Sequence, residues 1–298
     1  MQTGKPVIPL HAQRAATPNC GPMPAWIRQP LGDAPHFGLT QHAVHQHALH
    51  TVCEEAKCPN RGECWSRGTA TFMIMGDICT RACGFCAVKT GKPGSAPDAD
   101  EPRRVAEAAA RMGLKYVVIT SVNRDDQPDG GAGIFAETMR LLRARQPAIG
   151  IELLTPDFRN CQEAALRALA GHAPFVWGHN METVPRLYKA VRPGADYARS
   201  LRLLAAAAAL PGVEAKSALM LGLGETTGEV LEVLRNLRAA GVRRLALGQY
   251  LRPSMQHLPV RAYIEPARFT ELETAAREMG FTWVKAGPLV RSSYHAED

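Results

Sequence analysis

No run of apolar residues in this 298-residue chain is long enough to span a bilayer, and the first residues lack the apolar stretch of a secretory signal. The most uniform such run, Leu203 to Leu210, falls far short. The first 32 residues also lack any acid while carrying Lys5, Arg14 and Arg28, a bias found in transit peptides. Seven prolines before residue 36 would break the amphipathic helix that such a peptide forms, so the segment reads as an extended arm. A concentrated basic tract is missing too. The net charge of +7 is spread through "RVAEAAARM", "MRLLRARQ" and "LRNLRAAGVRR", which read as solvated helix faces rather than a nucleic-acid patch. No internal repeat stands out, and the low-complexity content is confined to Ala205 to Ala209. What remains is a chain with an ordinary hydrophobic fraction of 46%, enough for a sizeable core. It is expected in the reducing cytoplasm, with no membrane and no nucleic acid among its partners. Its positive balance suits an acidic partner or substrate.

Eight cysteines in such a chain do not read as a disulfide framework. Six of them fall between Cys53 and Cys86, whereas Cys20 and Cys161 stand apart and read as ordinary small residues. The clustered six form two trios. "TVCEEAKCPNRGECW" spaces Cys53, Cys58 and Cys64 as C-x4-C-x5-C, and "CTRACGFC" spaces Cys79, Cys83 and Cys86 as C-x3-C-x2-C. A fourth cysteine is absent from both. Structural zinc sites usually combine close thiolate pairs into four ligands, which these spacings do not supply. Iron–sulfur chemistry fits better, because a cubane cluster normally takes one thiolate per iron and a trio leaves one iron open.

From residue 69 onward, short β-like runs alternate with helical ones. "TATFMIM", "KYVVIT", "IGIELLT", "PFVWGHN", "VEAKSALMLG" and "RRLALGQY" are separated by stretches such as "EPRRVAEAAARMG" and "TGEVLEVLRNLRAAG", and "EPARFTELETAAREMG" leads to a last run, "FTWVKA". Regular alternation predicts parallel strands with crossover helices, as a barrel or an open sheet. The unusual residues share one register. The second trio follows the first run, then "SVNRDD", "LTPDF", "GHN", "GLGE" and "GQYLRPS" follow the next five. Loops at the carboxyl ends of barrel strands converge on one mouth, so six polar loops in that register point to a shared site. Six βα units would make an incomplete barrel with a lateral opening.

The C-x3-C-x2-C trio with its aromatic residue before the last cysteine resembles the radical S-adenosylmethionine (SAM) enzymes. The whole stretch "LHTVCEEAKCPNRGECWSRGTATFMIMGDICTRACGFCAV" more closely resembles the lipoyl synthase family, as do "VVITSVNRDD", "DGGA", "ELLTPDF", "HNMETVPRLYKAVRPGADY", "LMLGLGET", "GQYLRPSMQHLPV" and "GPLVRSSYHA". The likeness covers roughly residues 48–296. It implies an α/β fold: a partial (β/α)6 TIM-like barrel over 69–285, an N-terminal arm and auxiliary-cluster segment over 1–68, and a C-terminal tail over 286–298 closing on the auxiliary cluster. It implies two 4Fe–4S clusters. Cys79, Cys83 and Cys86 would hold the one whose open iron chelates SAM and whose electron cleaves it to a 5′-deoxyadenosyl radical. Cys53, Cys58 and Cys64 would hold the auxiliary one, with Ser293 of "RSSY" as fourth ligand and Ser292 as the alternative. The implied reaction inserts two sulfur atoms, drawn from the auxiliary cluster, at C6 and C8 of a protein-bound octanoyl-lysine. Implied partners are octanoylated lipoyl carrier domains or the glycine-cleavage H protein, an electron donor such as flavodoxin or ferredoxin, and cluster-delivery proteins. Oxygen from Ser293 suits iron less well than thiolate, so this corner should open most easily. The short tail beyond it is expected to be mobile when the auxiliary cluster is absent.

Position in the mouth makes Asn123, Arg124, Asp125 and Asp126 candidates for contacts to SAM or the acyl chain, and Glu225 a candidate for the ribose. The histidines at 36, 42, 45, 47 and 50 read as helix-surface and packing residues rather than ligands. Some positions depart from the family pattern: Gly178 stands where asparagine is common, Asn160 where glycine is, and Ala262 where arginine is. Two other readings exist. A methylthiotransferase would share only the second trio and would lack "RSSY". An electron-transfer or cluster-carrier protein would need no mouth of polar loops.

Overall fold

The computed structural model describes residues 21–27, 35–56, 58–66 and 70–298. Most of the expected arm, together with Cys20, lies outside the described residues. The N-terminal extension comprises α1 (Pro35–Gln46), a two-residue strand β1 (His50–Thr51), α2 (Val52–Glu55) and α3 (Arg61–Ser66). Thr51 starts α2 by accepting the Glu54 N–H at 3.3 Å, the bond that an N-cap hydroxyl is suited to make. The alternation then begins with β2 (Thr71–Ile74). A short parallel pair, β3 (Ile78–Cys79) and β4 (Lys89–Thr90), brackets the second cysteine trio. After it come α4 (Glu101–Arg111), β5 (Tyr116–Ser121), α5 (Ala132–Arg145), β6 (Gly150–Leu154), α6 (Gln162–Ala170), β7 (Phe175–Gly178), α7 (Tyr188–Val191), α8 (Tyr197–Ala208), β8 (Val213–Leu221), α9 (Thr227–Ala239), β9 (Arg244–Gln249), α10 (Pro266–Glu278) and β10 (Trp283–Gly287).

The main sheet runs β1-β2-β5-β6-β7-β8-β9-β10, with β1 antiparallel to β2 and every later pairing parallel. Spatial order therefore follows chain order, as right-handed βα units dictate. The expected partial barrel is present: six strand–helix units from β2 to α10, followed by β10 as a further parallel strand. Among the described residues β1 and β10 do not pair, so the barrel stays open. Helix ends carry the expected punctuation. Thr226 and Glu229 form a reciprocal capping box at the start of α9, and Pro266 opens α10.

Two apolar layers clad the sheet. Phe72, Ile119, Leu153 and Trp177 pack with Phe135, Met139 and Leu203, while Leu219 and Leu247 pack with Val233, Leu234 and Phe269. Each such side chain contributes about 1.5–3 kcal/mol on burial. Toward the amino ends of the strands the interior turns polar. Lys216 Nζ lies 2.8 Å from both Glu152 oxygens, and Tyr116 Oη donates to Glu152 at 3.0 Å. Lys216 and Arg244 also sit 4.5 and 4.9 Å from the ring of Trp283. This buried pair closes the barrel floor.

Beyond β10 the chain turns back across the end of β9. A Cβ on Gly248 would lie 2.0 Å from the Val290 carbonyl oxygen, so only glycine lets the tail pass at this height. Asn60 Nδ2 donates to Leu289 O at 2.7 Å, and Tyr294 Oη donates to Glu63 at 3.0 Å. Lys285 pairs with Asp298 at 2.8 Å, and Val290 and Ala296 are buried. These contacts dock the tail on the extension and on the end of the barrel.

Two outcomes follow from this packing. Lys216→Met leaves a buried carboxylate unpaired and should cost about 3–5 kcal/mol in chemical denaturation, with most of it recovered by adding Glu152→Gln. No recovery in the double variant would show that the pair does not close the floor as described. Gly248→Ala should push Val290 outward and speed hydrogen exchange over residues 289–294, at a cost of about 1–3 kcal/mol. Unchanged exchange there would contradict the close crossing.

Candidate active site

A cavity of about 470 Å³ opens at the carboxyl ends of the strands, and five of the six clustered cysteines line it: Cys53, Cys58, Cys79, Cys83 and Cys86. The second trio occupies a loop with little regular structure of its own, held by its neighbours. The Gly84 N–H donates to Val191 O and Gly84 O accepts from the Leu258 N–H, both at 2.9 Å. His257 Nε2 lies 3.0 Å from Cys86 O, which can only accept, so the proton is on Nε2 and Nδ1 accepts from Ser254 Oγ at 2.8 Å. The loop after β9 therefore buttresses the far end of the trio.

The near end is clasped by "SVNRDD" after β5. The Thr80 N–H donates to Asn123 O at 3.0 Å, and the Asn123 N–H points at Cys79 Sγ at 3.3 Å. The Arg81 N–H points at the same sulfur at 3.4 Å. The Arg81 side chain is buried and forks onto Asp125, with Nη2 2.7 Å from Oδ1 and Nε on Oδ2. It also donates to Asp157 at 3.1 Å and to Gly194 O at 2.7 Å. Arg199 completes the network at 2.7 Å from Asp157. Burial alone would raise the Asp157 carboxyl, but Arg81, with help from Arg199, outweighs it and holds the group below the ordinary carboxylate range. Arg124, also buried, reaches under the loop to Ser95 O at 2.8 Å and Met75 O at 3.3 Å, and its pairing with Asp126 holds that carboxyl down at about 2.

Of the residues expected to touch SAM, Asn123 lines the cavity. Arg124, Asp125 and Asp126 are engaged in the clasp and do not line it. Glu225 also stands back from it. Its carboxylate accepts the N–H groups of Gly222 and Leu223 at 2.5 and 2.9 Å, and burial raises it. Composition could not separate these roles, because a polar loop looks the same whether it faces a ligand or a neighbouring loop.

His179, Asn180, Gln249 and Tyr250, from the polar loops "GHN" and "GQYLRPS", line the cavity as that register implied, and Glu182 and Arg192, which were not singled out in the sequence, line it as well. Glu182 has φ 64°, a left-handed conformation uncommon outside glycine and frequent at functional sites. Asn180 Nδ2 donates to its carboxylate at 3.1 Å, and burial raises the group against the pull of Arg192. Arg192 Nη1 donates to the carbonyls of Asn180 and Met181 at 2.8 and 3.1 Å. His179 donates from Nδ1 to Thr155 O and accepts at Nε2 from Ser200 Oγ, both 2.9 Å, and burial pushes it down to about 4. It stays neutral at physiological pH. The signal for this wall was the position of "HNMET" directly after β7.

The first trio sits in the extension. Cys53 belongs to α2, Cys64 to α3, and Cys58 to the turn between them, where its N–H donates to Cys53 O at 3.2 Å. A small pocket of about 40 Å³ is lined by all three cysteines with Ser293, Arg291 and Tyr294. Ser293 lines both this pocket and the large cavity, whereas Ser292 lines only the large cavity. The fold thus brings a serine of the tail beside cysteines some 230 residues away, through the docking of residues 289–294 on α3.

Burial raises Cys53, and pushes Cys64 and Cys86 up to about 12 and Cys83 to about 11. Such thiols keep their protons unless a cationic centre replaces them, so loading with metal releases protons. Among the described residues no disulfide joins one of these cysteines to another. Among those residues no three donors converge on a single ion. Soft thiolates that line a shared space without converging suit a polynuclear cluster, whose ligands each bind a different metal. The residues present therefore fit iron–sulfur clusters. Among the described residues no helix is long and apolar enough to cross a membrane.

Comparison with known proteins agrees with this arrangement. Residues 73–248 match the family model of the radical SAM superfamily. Lipoyl synthase of Thiobacillus denitrificans is 55% identical over 292 residues, covering 98% of this chain and 91% of the relative. The lipoyl synthase of Methylococcus capsulatus is 56% identical over 275 residues, covering 92% and 85%. Among solved structures, methylornithine synthase aligns with TM-score 0.54 at 12% identity over 85% of this chain and 82% of its own. Streptococcus suis SuiB bound to S-adenosylmethionine aligns with TM-score 0.52 at 13% identity over 74% of this chain and 51% of its own. The structural likenesses speak for the fold, and the sequence likenesses for the family. From the two cysteine trios, the open parallel barrel and this degree of identity, the chain belongs to the lipoyl synthase family of radical SAM enzymes.

Proposed function

We propose that the chain inserts two sulfur atoms at C6 and C8 of a protein-bound octanoyl-lysine, with one cluster and SAM in the radical step and an auxiliary cluster as sulfur donor. The observation that carries the reading is the common cavity: thiols of both trios, Asn123 and Ser293 all face it. Cys79, Cys83 and Cys86 would hold the SAM-binding 4Fe–4S cluster, and Cys53, Cys58 and Cys64 the auxiliary one. Such a cluster with SAM supplies the one-electron chemistry that a strong, non-acidic alkyl C–H bond requires. The chain's own residues bind, orient and exclude. Asn123 would contact SAM, while Arg124 and Asp125 act on it indirectly by holding the cysteine loop, and Glu225 by shaping the turn after β8. Glu182 and Arg192 line the same cavity close to the Cys83 corner of the trio.

Ser293, rather than Ser292, would be the fourth ligand of the auxiliary site, a choice supported by the small pocket it shares with Cys53, Cys58 and Cys64. In this reading the described part of segment 1–68 and the tail over 286–298 together build the auxiliary site beside the 69–285 barrel. The lateral opening would admit an octanoylated carrier domain or the glycine-cleavage H protein, and the +7 charge suits an acidic carrier. A flavodoxin or ferredoxin would deliver electrons in the cytoplasm, and cluster-delivery proteins would restore the auxiliary site.

Anaerobic incubation of the reconstituted protein with SAM, dithionite and an octanoyl-lysine peptide, read by mass spectrometry, tests this directly. The peptide should gain two sulfur atoms. Ser293→Ala should keep cleaving SAM while sulfur insertion falls by about tenfold or more, the scale on which site-supporting groups act. SAM cleavage by the wild type with no sulfur on the peptide would sink the proposal, and full insertion by the serine variant would remove Ser293 from it.

A further inference from the structure

We propose that Arg81 and Asp125 set the reduction potential of the cluster held by the Cys79 trio, by keeping two backbone N–H groups aimed at the Cys79 sulfur. This rests on the reading that the trio holds a cluster. The two donors, from Arg81 and Asn123, lie 3.4 and 3.3 Å from Cys79 Sγ. They come from different βα loops, which are joined by the backbone bond from the Thr80 N–H to Asn123 O at 3.0 Å and by side chains. Arg81 forks onto Asp125 through Nε and Nη2, and the Asp125 N–H donates to Thr80 Oγ1 at 3.2 Å, which locks residues 80–81 against 123–125. Asp157 and Gly194 fix the other side of the guanidinium. With the side chains of Arg81 at 8% and Asp157 at 2% exposure, water competes little for the bond between them, while Asp125, at 29%, stays partly open to solvent.

Hydrogen bonds to the sulfurs of an iron–sulfur cluster help set its potential. An N–H donor withdraws negative charge from a coordinating thiolate and makes an added electron less costly, so two donors on one corner raise the potential. One Cys79 donor, Arg81, lies in the trio's own loop, and the other, Asn123, comes from the neighbouring loop that the Arg81–Asp125 pair holds against it. Arg81 and Asp125 are thus positioning residues, acting through the backbone rather than touching the cluster.

The test compares wild type, Asp125→Asn and Arg81→Lys, with Glu137→Gln as control because its pair with Arg140 lies on the exposed face of α5. Each reconstituted protein is assayed for iron and sulfide. It is then titrated with dithionite while the EPR signal that responds to added SAM is followed. Iron should stay at the wild-type level, because the thiolates are untouched. At the wild-type midpoint the reduced-to-oxidised ratio should fall about tenfold in Asp125→Asn, a downward shift of about 59 mV for one electron, and less in Arg81→Lys. The control should not move. Should Asp125→Asn fail to load, Arg81→Lys, which keeps the charge but loses the fork, carries the measurement. An unchanged midpoint in the variants that load overturns the proposal. A wild-type protein whose iron content is indifferent to Cys79→Ser would instead refute the cluster reading beneath it.

Discussion

The guanidinium of Arg81 is the contact on which the site's geometry turns. Four of its N–H donors reach Asp125, Asp157 and Gly194, which belong to the loops after β5 and β6 and to the segment before α8. The loop of the second trio has almost no secondary structure, so its backbone must be ordered by groups from elsewhere, at about 1–2 kcal/mol per residue. Charge-assisted hydrogen bonds of about 1.5–3 kcal/mol each are the scale of interaction able to offset that. A lysine in place of Arg81 would keep the charge but could not span three loops at once.

The second trio is held by side chains, whereas the first is held by chain topology. Because strand order follows chain order, β10 ends beside β9, and the tail must turn back over the barrel end to reach the extension. Gly248 leaves room for that crossing, and Glu63 receives Tyr294 on the far side. Closing so long a loop costs little more than closing a short one, since the entropy grows only with the logarithm of its length. A ligand far along the chain is therefore no obstacle, provided folding positions it. Tyr294, Val290 and Asn60 contribute to that positioning through their contacts with the extension and the barrel end.

Much of this was legible in the residues. Strand and helix periodicity located the strands β2 and β5 to β10 and the helices α4 to α6 and α8 to α10, though not the short α7, and the register of polar loops pointed to one mouth. The cysteine spacings excluded a simple zinc knuckle. What the residues could not reveal was direction. Arg124, Asp125 and Glu225 sit in loops of the right register, but they turn toward backbone and neighbouring loops, because a buried loop's own N–H and carbonyl groups must also be satisfied. Glu182 and Arg192 escaped notice for the opposite reason. They follow β7 in a stretch beyond the polar loop "GHN", and the left-handed turn at Glu182 is a conformation that no residue type there announces. The distinction between Ser292 and Ser293 likewise depends on the path of the tail, which no local pattern encodes.

The central claim is that two incomplete thiolate sets hold two separate clusters against one cavity. Counting iron and acid-labile sulfide per chain after anaerobic reconstitution tests it most directly. About eight irons are expected in the wild type, and about four when either Cys53, Cys58 and Cys64 or Cys79, Cys83 and Cys86 are replaced together by serine. A wild-type value near four, or the loss of all iron when only one trio is replaced, would contradict it.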